Sequence, residues 1–208
     1  MYSLAEQHRI STALDMAVRL HAGQQRKQTN IPYLGHLLSV AGIAIEAGAD
    51  EDETIAAILH DAVEDQGGKP TLDAIRQVFG ERVAAIIDGC TDADVTPKPP
   101  WRERKEKYLA HLEHADKSVR LVCAADKLHN IRAILADYRE LGPALWQRFN
   151  GGRDGTLWYY RGVADRLNAA GQTRLTLELS RVVAELEAMV RKQEGEHDRL
   201  QDARGRAR

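Results

Sequence analysis

Residues 56 to 65, AAILHDAVED, set four ionisable side chains, His60, Asp61, Glu64 and Asp65, beside Ile58, Leu59 and Val63, which favour burial. Read as one α-helix turning about 100° per residue, with His60 at zero, the segment puts Glu64 near roughly 40°, Asp61 near roughly 100° and Asp65 near roughly 140°. The apolar residues fall between roughly 160° and 300°. A stripe of this kind is either the solvated face of an amphipathic helix or a site. Adjacent imidazole and carboxylate at its apolar edge favour a site, because both are good ligands for a divalent transition ion.

One His-Asp pair leaves a coordination sphere unfilled, and two other positions offer ligands. His36 follows the loop NIPYLG at the start of a helix. Asp126 lies in VCAADKLHN, where burying a carboxylate among Val122, Ala125 and Leu128 is costly without a cation or donor. Each has an ordinary alternative: a satisfied helix-terminal histidine for His36, and an ion pair with Lys127 or Arg132 for Asp126. The ordered set His, His-Asp, Asp is much more specific than any member.

These residues need a scaffold, and the sequence predicts an all-α one. Apolar spacing marks a helix over residues 3–21, stopped by Gly23, and a polar loop then leads to a second helix from His36 to about residue 47. Asp50 is placed to cap the third helix, which carries the acidic stripe. Leu72, Ile75, Val78 and Phe79 predict a fourth helix, and Val83, Ile86 and Ile87 a fifth. TPKPP at 96–100 excludes helix. Further helices are expected at 101–114, 117–139, 154–170 and 173–192, about eight to ten in all. No strand-like alternation of useful length occurs. After Met189 and Val190 the apolar face ends, which predicts one domain over 1–192 and a disordered tail over 193–208.

The chain of 208 residues is 43% hydrophobic and 29% charged, with a formal net charge of -2. That balance fits a single globular domain and argues against broad nucleic-acid binding, so any anion site must be local. Cys90 and Cys123, without CxxC spacing, form no disulfide framework. With no leader-like start and no long apolar run, a soluble cytoplasmic protein is expected, with no membrane partner.

The ordered set His36, His60-Asp61 and Asp126 resembles the metal signature of the HD phosphohydrolase superfamily, whose members are all-helical. HAGQQRKQTNIPYLGHLLSVA, AAILHDAVED, ADKLHNIR and TLWYYRGVADRLN are similar to successive motifs of the alarmone pyrophosphohydrolases. These are the hydrolase half of the Rel/Spo stringent-response enzymes and the free-standing small alarmone hydrolases. The resemblance covers about residues 17–168. It implies Mn²⁺ held by His36, His60, Asp61 and Asp126, and removal of the 3′-pyrophosphate from a hyperphosphorylated purine nucleotide such as (p)ppGpp. Glu64 and Asp65 match the catalytic Glu-Asp pair, a role that suits carboxylates able to orient water and shuttle its proton.

The same resemblance implies substrate contacts from Arg26 and Lys27, a guanidinium that stacks and a lysine that neutralises. Lys98 and Arg102 are the phosphate candidates within PKPPWRERKEKY, whereas Lys105 and Lys107 read as a solvated helix face. Asn130 and Tyr160 match positions near the nucleoside, although Trp158, Tyr159 and Tyr160 together also suit core packing. Gly35-His36-Leu37 departs from the usual Asn-His-Pro, and QGGKP follows the acidic pair in place of a polar turn. Base preference is left open, (p)ppApp included. Another HD-type nucleotide phosphohydrolase, an NADPH phosphatase and a non-catalytic alarmone sensor are the competing readings.

Overall fold

The computed structural model describes residues 3–92, 97 and 99–206. Among these the regular structure is helical, with a single isolated antiparallel bridge between Gln25 and Pro32. Ser3 opens α1 (Leu4–Leu20) with a reciprocal cap, its hydroxyl accepting from the Glu6 amide while the Glu6 carboxylate accepts from the Ser3 amide. α2 (Leu34–Glu46) buries Leu37, Val40, Ala41 and Ala44. Asp50 then caps α3 (Glu51–Leu59) by the same reciprocal device, at the residue where the sequence pattern places the cap.

α3 is buried from Glu53 to Leu59, and it is the element against which α1, α2, α6 and α8 pack. Its acidic first turn suits the positive end of the helix. There Arg9 of α1 reaches Glu51 at 2.6 Å, and Arg82 of α6 (Glu81–Cys90) reaches Asp50 at 2.7 Å. The buried Glu53 carboxylate accepts from Ser118 at 2.7 Å, which registers α3 against α8 (Lys117–Leu141). Cys90 and Cys123 are free thiols with sulfurs 3.6 Å apart at the crossing of α6 and α8.

The helix expected to run unbroken through the acidic stripe does not. α3 ends at Leu59, His60 and Asp61 form a turn, and α4 is a separate piece, Ala62–Asp65. The cause is local. The His60 Nδ1–H donates to the carbonyl of Ala57 at 2.9 Å, so the side chain engages an acceptor of the last turn as the helix ends. α5 (Lys69–Phe79) follows Gly67 and Gly68, which both take positive φ (121° and 63°).

α7 (Trp101–His114) begins directly after Pro99-Pro100, as the proline argument requires. A 3-10 stretch at Gly142–Arg148, which the sequence pattern does not announce, joins α8 to α9 (Gly152–Ala170). α10 covers Arg174–Arg206 and packs on α8 and α9, with Leu179, Val183 and Leu186 fully inside. Its backbone is helical past residue 192, where the apolar stripe stops and a disordered tail is expected. A helix with packed turns behind it propagates by adding one backbone hydrogen bond per residue, without needing a buried face.

Candidate metal centre

Three chain segments meet where α2 starts, α3 breaks and the middle of α8 passes. His36, His60 and Asp126, all buried, bring ligand-type atoms within 4.8 Å of one another. The Nε2 of His36 lies 3.3 Å from Asp61 Oδ2 and 3.3 Å from Asp126 Oδ1. The Nε2 of His60 lies 3.0 Å and 3.6 Å from the same two oxygens. The four residues predicted as ligands are thus brought together, from elements up to 90 residues apart in sequence (positions 36 and 126).

The donor set fits a divalent cation. His60 Nδ1 faces a carbonyl, which can only accept, so Nδ1 carries the proton and a neutral ring leaves Nε2 as a bare lone pair. That Nε2 is buried and makes no hydrogen bond. Two carboxylates and two imidazole lone pairs converging in a buried space repel one another unless positive charge sits among them. The protonation pattern shows the same demand for positive charge, which a proton on His60 or a cation can supply. Burial opposes charge on His60, yet Asp61 and Asp126 beside it raise its pKa well above the usual range. Burial likewise pushes the carboxyls of Asp61 and Asp126 up, but His60 beside Asp61, and Lys127 with the two imidazoles beside Asp126, hold both well below it.

Around the four lies a supporting layer, of which the sequence reading did not single out Tyr33 and His129. Tyr33 donates to Asp61 Oδ2 at 2.5 Å, and burial together with Asp61 keeps the phenol protonated. His36 and His129 share a hydrogen bond between their Nδ1 atoms at 2.8 Å. Burial, His36 and Arg26 push His129 down to about 4, so at neutral pH it is uncharged and accepts the His36 proton, leaving His36 Nε2 free. Lys127 donates to Asp126 Oδ2, which makes true the ion pair weighed for that carboxylate, and Asn130 donates to Asp126 Oδ1 at 2.5 Å. Arg132 instead pairs with Glu178. His129 was visible only as a letter after the aspartate, whereas Asn130, expected near the nucleoside, also braces Asp126 from one helical turn away.

The predicted substrate contacts are placed unevenly. Arg26 donates to Asn130 Oδ1 at 3.0 Å and so joins the layer behind Asp126, while Lys27 is exposed on the adjoining turn. That turn is a small hairpin, closed by Arg26 N–H to Ile31 O at 2.9 Å and Tyr33 N–H to Gln24 O at 2.9 Å, with Gln28 at φ 57°. Tyr160 is buried, and burial raises its pKa, with Lys127, Asp126 and Arg26 close enough to act on it. Arg102 is exposed, paired with Glu106 at 2.7 Å and stacked on Trp158. Lys98 lies outside the described residues.

Lys105, assigned from its charge pattern to a solvated face, is mostly covered. Asp92 accepts from its ammonium at 2.7 Å, and Tyr159 lies beneath it at 4.6 Å. Burial and the neighbouring Lys127 lower its pKa, while Asp92 and Glu64 act in the opposite sense, so Lys105 lies within electrostatic reach of the acidic pair. Lys107 is exposed and paired with Glu103, as expected. Glu64 is half-buried and Asp65 exposed on α4, the turn that directly follows two of the clustered groups.

Comparison with known proteins agrees with this geometry. Residues 13–157 match the family described as HD domain. A guanosine-3′,5′-bis(diphosphate) 3′-pyrophosphohydrolase MESH1 of Xenopus tropicalis is 36% identical over 140 residues, 66% of this chain and 73% of that protein. The Homo sapiens protein of the same name is 37% identical over 145 residues, 68% and 76% of the two chains. A probable GTP pyrophosphokinase of Mycobacterium leprae is 36% identical over 127 residues, which is 60% of this chain but only 16% of that longer protein. Among solved structures, a metazoan ortholog of SpoT described as hydrolysing ppGpp superposes with a TM-score of 0.72 at 27% identity, covering 89% of this chain and 97% of the other.

Proposed function

This chain belongs to the HD domain family, and we propose that it is a metal-dependent hydrolase removing the 3′-pyrophosphate from (p)ppGpp or (p)ppApp in the cytoplasm. The observation that carries the reading is the meeting of two Nε2 atoms and two carboxylates directly before the Glu64-Asp65 turn. The MESH1 proteins are named for this reaction, and the HD domain match over residues 13–157 contains the segments that supply these groups.

His36, His60, Asp61 and Asp126 would hold the ion, Mn²⁺ in this proposal. When bound, such an ion supplies Lewis acidity and a reactive water at neutral pH. Hydrolysis breaks the bond between phosphorus and the ribose 3′-oxygen; the oxygen of water ends on phosphorus and a proton must reach the departing 3′-oxygen. Glu64 and Asp65 take and return that proton, a task that fits carboxylates of which one is half-buried and one open to solvent. Arg26, Lys27, Lys98, Arg102, Asn130 and Tyr160 are the proposed substrate contacts. Of these, Arg26 and Asn130 also brace Asp126, so they link nucleotide binding to the position of a ligand. Among the described residues no helix is long and apolar enough to cross a membrane.

Incubation of the purified protein with Mn²⁺ and, separately, ppGpp, ppApp or NADPH tests the reading, with pyrophosphate and orthophosphate measured independently. The expected result is one pyrophosphate per alarmone consumed, with turnover abolished by a chelator and restored by Mn²⁺. Release of orthophosphate alone, or turnover of NADPH only, would replace it with a monophosphatase. His129→Ala is expected to weaken Mn²⁺ binding by about 10- to 100-fold, because the partner that orients His36 is gone. Titration calorimetry of the folded variant reads this directly, and unchanged affinity would remove His129 from the support of the site.

A further inference from the structure

We propose that Gln24 is a positioning residue for Asp65, acting through an amide tied down at both ends; this rests on the reading of Asp65 as half of the proton-handling pair. The Nε2 of Gln24 donates to Asp65 Oδ2 at 2.8 Å, across 41 residues of sequence. Its Oε1 accepts from His21 Nδ1 at 2.7 Å and from Gln66 Nε2. A carboxylate only accepts and the Gln66 amide nitrogen only donates, so the orientation of the Gln24 amide is determined, and a flip would set acceptor against acceptor and donor against donor.

His21 is itself held. It is buried and stacks on Tyr33 with ring centres 5.4 Å apart and planes within 19°, and Tyr33 donates to Asp61. One small assembly on the loop after α1 therefore touches both Asp61 and Asp65. Asp65 needs such a tether more than Glu64 does: it is exposed at the end of a four-residue helix, followed closely by Gly67 and Gly68 at positive φ. The Gln24 contact narrows the rotamers open to Asp65, and proton transfer tolerates displacement poorly.

The test measures kcat and KM for ppGpp, Mn²⁺ affinity and Tm for Gln24→Ala, Asp65→Ala and the double variant. Gln24→Ala is expected to lower kcat by about 10- to 100-fold with KM and Mn²⁺ affinity as in the parent, and with a lower Tm because buried His21 loses its acceptor. The double variant is expected to be no slower than Asp65→Ala, because the two act as one unit. Gln24→Glu keeps the side-chain size and the acceptor for His21 but loses the donor, so it should reproduce the loss of kcat without loss of fold. Parent-like kcat in Gln24→Glu while Asp65→Ala is impaired would overturn the proposal alone, as would losses that multiply in the double variant. Full activity of Asp65→Ala would instead overturn the role of Asp65 on which it rests.

Discussion

Asp61→Ala is expected to lose divalent-ion binding and turnover together, with kcat/KM falling on the order of 10³-fold or more. The carboxylate touches both imidazole nitrogens of the cluster, at 3.3 Å and 3.0 Å, and no other residue at the break after α3 can replace it. Its loss leaves three groups, His36, His60 and Asp126, around the same space. The fold should survive, because Asp61 stands in the turn between α3 and α4 and is not part of the apolar core. Asp61→Asn is the sharper variant: it keeps an oxygen for the Tyr33 hydroxyl and removes only the charge. In the parent, Mn²⁺ at about 100 times its Kd stabilises the native state by about 2.7 kcal/mol, seen as a rise in Tm. In both variants that rise should vanish, and the metal-free Tm should fall, because the lowered pKa of Asp61 and the raised pKa of His60 mark a favourable pairing that is lost. A normal metal-induced shift in Asp61→Asn would show that Asp61 is not a ligand.

The parts of this site legible in the sequence are those that depend on residue type in a helical register. Asp50 announces its cap, and His36, His60, Asp61 and Asp126 stand out because ionisable groups on apolar helices are expensive without a partner. What the pattern does not carry is contact between distant elements. Tyr33 on Asp61, His129 on His36 and Gln24 on Asp65 span from 28 to 93 residues, and each residue taken alone is an ordinary polar side chain. The break at His60-Asp61 was hidden for a related reason: periodicity assumes a continuous ladder, whereas the His60 side chain takes the Ala57 carbonyl. The basic segment hides its contacts for the same reason. Arg102 lies nearest the loop in sequence but turns to Trp158 and Glu106, while Lys105, one turn on, is drawn inward by Asp92.

Glu64→Gln should leave metal binding intact and still remove most of the turnover, by about 10²- to 10⁴-fold in kcat. The separation follows from where the side chain sits. Glu64 belongs to α4, one turn beyond the clustered ligands, and its carboxylate is not among the oxygens that approach the two imidazoles. Its field reaches Lys105, whose ammonium Asp92 and Tyr159 hold in place while burial and Lys127 lower its pKa. The amide keeps the volume and polarity of the carboxylate while abolishing its capacity to take a proton. Mn²⁺ affinity measured by calorimetry should therefore match the parent, and single-turnover experiments should locate the loss in the chemical step rather than in product release. Loss of Mn²⁺ binding would make Glu64 a fifth ligand. Parent-like turnover would mean that the proton passes through another group, with Asp65, tethered by Gln24, as the remaining carboxylate on that turn.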